Sequence, residues 1–158
     1  MARKNEAKLA AEIHDALPFL FNVQRGRIVP NLGVPFPPSF DYAFVTLSVD
    51  DILVRFCRGR GELCVRIASS ETPDEWHEVS LLLKLIEKKE NFERTGVLDL
   101  RDASRLMESQ MDRLKEAFVE RPGNDLKQRL AAVYADDRVK TKELEWEINQ
   151  RVRSVRRG

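Results

Sequence analysis

A chain of 158 residues has room for one hydrophobic core, and with 42% hydrophobic and 34% charged residues it is rich enough in Leu, Ile, Val and Phe to fill it. The 27 basic and 26 acidic side chains leave a formal charge of +1, which excludes a global field driving the protein onto nucleic acid or an anionic membrane. No stretch approaches the ~20 apolar residues of a bilayer span, and the charged N-terminus at Arg3, Lys4, Glu6 and Lys8 lacks the apolar core of a secretory signal, so a cytoplasmic protein without a membrane partner is expected.

From about Asn5 to Leu17, Leu9, Ile13, Ala16 and Leu17 recur at helical spacing, and Pro18 discourages continuation. Beyond Phe19-Leu20-Phe21, Val23 and the run Arg27-Ile28-Val29 read as a short strand broken at Gly26. Four of the seven prolines then fall between Pro30 and Pro38, where missing N–H donors exclude a helix or a central strand and predict a connector. A polyproline ligand is the other reading of that stretch.

From Tyr42 to Ala68 the register itself follows from the residues. A turn at Asp50-Asp51 pairs Val49 with Ile52, Leu47 with Val54 and Val45 with Phe56. A second turn at Gly59-Arg60, with Gly where a type II′ turn requires it, pairs Phe56 with Leu63, Val54 with Val65 and Ile52 with Ile67. Both place the apolar residues on one face of a meander and leave Phe44, Thr46, Ser48, Leu53, Arg55, Cys57, Glu62, Cys64 and Arg66 on the other. In this register Cys57 and Cys64 are diagonal neighbours about 7–8 Å apart. That lies beyond the roughly 4.4–6.8 Å between Cα atoms that a disulfide spans, so reduced thiols are expected.

Thr72-Pro73-Asp74-Glu75 carries a capping box with proline at the first helical position, and predicts a helix bearing Trp76, Val79, Leu82, Leu83 and Ile86 on its buried stripe and ending near Lys88-Lys89. Its docking surface is the apolar face of the meander. A further helix starts near Asp99, lines up Ala103, Met107, Met111, Leu114 and Phe118, and stops at Arg121-Pro122-Gly123. Asn124 can cap the last segment, where Leu126, Leu130, Val133 and Tyr134, then Leu144, Ile148, Val152 and Val155, continue the periodicity as a long or kinked helix. The fold expected is a single α+β domain over 1–158. A helix and Pro-rich connector occupy 1–38, an antiparallel three- to four-stranded meander 39–70, and a helical part packed on one sheet face 71–158.

Residue types give no catalytic, metal or cofactor site. His14 and His77 lie in different elements, the cysteines lack a second pair, and Arg58-Gly59-Arg60-Gly61 opens onto a strand rather than a helix N-terminus. Ser69-Ser70 or Cys57 with His77 is the one nucleophile and base that can be assembled, without supporting spacing, and Asp50-Asp51 is explained by turn propensity. The basic hairpin has more content: Arg55 and Arg66 on the outer face, Arg58 and Arg60 at the tip, and Phe44 alongside combine guanidinium groups with an aromatic surface suited to phosphate and base stacking. The same arginines serve equally for cation–π packing or pairing with acids. At the C-terminus Arg151, Arg153, Arg156 and Arg157 suit a helix end, and the stripe from Leu144 to Val155 could form a homodimer contact.

The segment from Asp51 through Arg58-Gly59-Arg60-Gly61 to Val65, followed by Trp76 and an apolar helix, resembles a hairpin pattern of small bacterial proteins of unassigned function, over about a quarter of the chain. The resemblance implies no reaction or ligand, and by fold-level analogy points to immunity- or antitoxin-like partners of other proteins. The leading expectation is therefore a non-enzymatic protein-binding module using the exposed meander face or the C-terminal helix. A nucleic-acid-binding accessory protein using Arg55, Arg58, Arg60 and Arg66 is the alternative, and an enzyme whose site is scattered in sequence is the third.

Overall fold

The structure, a computed structural model, describes residues 2–31, 42–59, 62–86, 99–119 and 125–135. The chain divides into two compact units, Met1–Glu120 and Arg121–Gly158. The first holds an antiparallel sheet of five strands in sequence order: β1 (Arg27–Val29), β2 (Tyr42–Val49), β3 (Ile52–Gly59), β4 (Glu62–Ser69) and β5 (His77–Glu78). Its helices are α1 (Ala2–Ala16), α2 (Pro18–Asn22), α3 (Val79–Ile86) and α4 (Leu100–Ala117). In the second unit α5 (Leu126–Ala135) has Leu126, Leu130 and Val133 as buried positions at helical spacing.

The α+β architecture with helices packed on an antiparallel meander is as expected, and two short strands extend the meander to five. α1 packs on β2, α3 on β4 and β5, and α4 on α1 and α3. Between sheet and helices lie Val45, Leu47, Val49, Ile52, Val54, Phe56, Leu63, Val65 and Ile67, each at most 3% exposed, facing Leu9, Ile13, Leu82, Met107, Met111 and Leu114. Burying each large aliphatic or aromatic side chain contributes about 1.5–3 kcal/mol, so this layer is the main source of stability.

The first hairpin keeps the expected register, with Val49 opposite Ile52, Leu47 opposite Val54 and Val45 opposite Phe56. The second does not. Gly59 pairs with Glu62, Phe56 with Val65, Val54 with Ile67 and Ile52 with Ser69, so the turn lies one residue later than expected and the pairing moves by two. A two-residue slip preserves the faces, which is why the buried set is unchanged. Gly59 is used for close approach instead of for the turn: it sits opposite Tyr42, and a Cβ there would overlap the Tyr42 ring.

The helix expected to begin at Thr72 starts later, at Val79. Thr72 and Glu75 close successive turns through Thr72 N–H to Ser69 O at 3.1 Å and Glu75 N–H to Thr72 O at 3.1 Å. His77 and Glu78 then pair with Ile67 and Arg66, so a sheet edge captures residues that the local capping signal assigns to a helix. Pro18 does end α1, and it also occupies the first turn of α2 after Leu17 leaves helical geometry at φ −126° and ψ 55°. α4 begins as expected, with the Asp99 carboxylate accepting from Asp102 N–H at 2.7 Å and Ala103, Met107, Met111 and Leu114 buried. Most of the Pro-rich connector, Arg60, Lys88-Lys89, Arg121 to Asn124 and the C-terminal stripe with its dimer expectation lie outside the described residues. Among the described residues no helix is long and apolar enough to cross a membrane.

Candidate functional site

Strand alternation places Phe44, Thr46, Ser48, Leu53, Arg55, Cys57, Cys64 and Arg66 on the sheet face opposite the helix-covered core. This face is not the open polar surface its residue types suggest. Thr46 is 2% and Arg55 6% exposed, and they belong to a chain of hydrogen bonds that crosses the sheet. Asn31, just past β1, donates through Nδ2 to Phe44 O at 2.7 Å and accepts through Oδ1 from the Thr46 hydroxyl at 2.7 Å. Arg55 Nε donates to the same hydroxyl at 3.0 Å, and its guanidinium carbon stands 4.0 Å from the Trp76 ring centroid. A buried hydroxyl that both donates and accepts is satisfied, and the stacked indole supplies the cation with a π face in place of water.

The corrected register puts Arg55 opposite Arg66 and Cys57 opposite Cys64. Apposed like charges repel. Here burial and Arg66 hold the Arg55 pKa below its ordinary value, while Cys57 acts the other way. Burial also opposes the charge on Arg66, yet its pKa is raised, because the Cys64 and Cys57 sulfurs, a hydrogen bond to Cys64 and the carboxylate of its strand partner Glu78 outweigh that cost. The Cys57 thiol is pushed up to about 12 by burial and by Cys64, against the pull of Arg66 and Arg55. Neither cysteine is in a disulfide.

Of the residues expected to form a phosphate-binding array, Phe44, Arg55 and Arg66 share the outer face and Arg58 lies on the other. Arg55, expected at the surface, is buried because Trp76, which arrives from the turn before β5, lies over it. Arg58 stands opposite Ala43 and Leu63, whose side chains share the helix-covered face, and it pairs with Glu12 of α1. Arg60 lies outside the described residues. Arg66 is half-buried between the thiols and Glu78. Phe44 is half-buried and stacks with Tyr42 at 6.5 Å between centroids and 13° between planes.

Asn31, Thr46 and Trp76 are the members that sequence reasoning missed. Asn31 is hidden beside prolines, Thr46 is an ordinary strand residue, and Trp76 falls at helical spacing with Val79 and Leu83, a pattern that points it to the other side of the sheet. One signal was present: two arginines alternating on a strand face beside a nearby tryptophan are the raw material of a cation–π stack. No protein-family model matches the chain, and no curated protein or solved structure matches it either.

Proposed function

We propose that the chain is a non-enzymatic protein-binding module whose contact surface is the outer sheet face around Phe44, Leu53, Cys57 and Cys64. The observation that carries this reading is the internal engagement of the arginines. Arg55 is covered by Trp76, Arg58 is paired with Glu12, and Arg66 stands beside Glu78 and the thiols. What reaches solvent around Phe44 and Leu53 is then a mixture of partly exposed aromatic, aliphatic and sulfur groups, with the exposed Glu62 at its edge. Such a surface matches the centre of a protein–protein interface, where aromatic groups are enriched and most charged groups depleted. It matches a phosphate-tracking groove poorly, since that requires cations free to displace counterions.

Cross-linking of the chain in its own cells tests the proposal. Cross-links to a protein partner should survive nuclease and high salt, and should be lost from a Phe44→Asp, Leu53→Asp double variant that retains its fold by circular dichroism. Loss of the cross-links on nuclease treatment, or saturable binding of labelled oligonucleotides that weakens steeply with salt, would establish the nucleic-acid alternative instead.

A further inference from the structure

Cys57 and Cys64 are direct cross-strand partners, two positions from the second turn. With Gly59 opposite Glu62, the alternation of an antiparallel ladder makes Cys57 and Cys64 a hydrogen-bonded pair of the kind about 5.5 Å apart at Cα. The first hairpin leads to the same assignment, because counting from Val49 and Ile52 leaves Phe44 and Cys57 without mutual bonds and turns the Cys57 backbone toward β4. That Cα separation falls within the range a disulfide spans, while the Cβ atoms of a directly opposed pair, about 4.5–5.5 Å apart, must draw together by up to about 1 Å for the bond to form. Both cysteines lie on the outer face and neither residue is fully buried, Cys57 being the more enclosed of the two by its burial-raised pKa.

From this geometry we infer that Cys57 and Cys64 form a reversible thiol–disulfide site, oxidised by a low-molecular-weight disulfide of the glutathione type. The two sulfurs are not equivalent. The Arg66 guanidinium hydrogen-bonds to Cys64, which sets a fixed cation beside that sulfur. Burial and the neighbouring Cys64 sulfur keep Cys57 protonated, with Arg66 and Arg55 opposing. Cys64 is thus the attacking thiol and Cys57 the resolving one. In the first step Cys64 loses its proton to solvent and attacks one sulfur of the oxidised glutathione, forming a mixed disulfide and releasing one glutathione thiolate. In the second, Cys57 loses its proton, attacks the Cys64 sulfur and expels the second glutathione thiolate. The two cysteines are oxidised by two electrons together, one glutathione disulfide is reduced to two thiols, and reduced glutathione reverses both steps.

The test uses the full chain in glutathione buffers of graded ratio, quenched with acid and weighed intact. The wild-type monomer should lose the mass of two hydrogens. Trypsin cuts at Arg58 and Arg60, between the cysteines, so the Cys57 and Cys64 peptides should remain joined only in the non-reduced digest. The folded hairpin should close at a lower ratio of oxidised to reduced glutathione than the urea-unfolded chain, because the strands hold the sulfurs at high effective concentration. Cys57→Ser should stop at a glutathione adduct on Cys64, and Cys64→Ser should react about tenfold more slowly. Thiols that stay reduced, two separate glutathione adducts, disulfides between chains, or closure at the same ratio folded and unfolded would each overturn the site. Equal rates for the two serine variants would overturn the order of attack.

Discussion

Thr46 is one hydroxyl among the strand residues, yet Asn31 and Arg55 meet on it. Replacing it with valine keeps the shape and the strand propensity while depriving the buried Arg55 Nε and the part-buried Asn31 Oδ1 of that partner. A buried polar group deprived of its hydrogen bond costs about 1–3 kcal/mol, so urea denaturation of Thr46→Val should show a loss in that range and Thr46→Ser a distinctly smaller one. Equal losses would mean that the methyl group and not the hydroxyl matters. The face on which Arg55 lies was legible from strand alternation, which is a local property. Its cover was not, because alternation says which side a residue takes and nothing about what arrives from elsewhere in the chain. Trp76 is far enough along the sequence that only the paths of β4 and β5 bring it over the guanidinium.

At the level of elements, connections between the strands and helices constrain the backbone more tightly than their composition suggests. Gly26 N–H donates to Leu20 O at 2.7 Å, and a Cβ at Gly26 would lie 2.7 Å from the same carbonyl and 3.2 Å from the Val49 side chain. A backbone carbonyl within α2 cannot swing aside as a side chain can, so Gly26→Ala should destabilise by about 1–3 kcal/mol through overpacking. Thermal unfolding would show this as a lowered midpoint, and an unchanged midpoint would mean that α2 is free to move. Asp50 makes the complementary point. It adopts φ 50° in the first turn and accepts from Lys115 at 2.9 Å, so the adjacent aspartates are explained by turn geometry and a contact to α4. The first hairpin and α4 were legible because their turn residues, caps and apolar periods agree with one another. The second turn and the start of α3 were not, because a glycine and a capping box each had a local meaning that a cross-strand partner displaced.

The whole molecule is nearly neutral, with a formal charge of +1, so general charge repulsion adds little to its response to pH near neutrality and individual buried groups set the slope. His77 is such a group. It sits on β5 opposite Ile67 and stacks on Phe118 at the end of α4, at 6.4 Å between ring centroids. Burial lowers its pKa from 6.5, Glu75 acts to raise it and Arg66 to lower it further. Because the folded value lies below the unfolded one, the unfolded chain binds the proton first as the solution is acidified. The stabilisation from keeping His77 neutral is therefore complete above 6.5 and is lost as pH falls through the lower folded value. Unfolding free energy measured in urea across that interval should rise with pH, and His77→Gln should flatten the slope there while leaving the behaviour of the carboxylates at more acid pH intact. A wild-type slope unchanged by His77→Gln would mean that the proton is taken up elsewhere, and that the packing of β5 on α4 carries no dependence on pH.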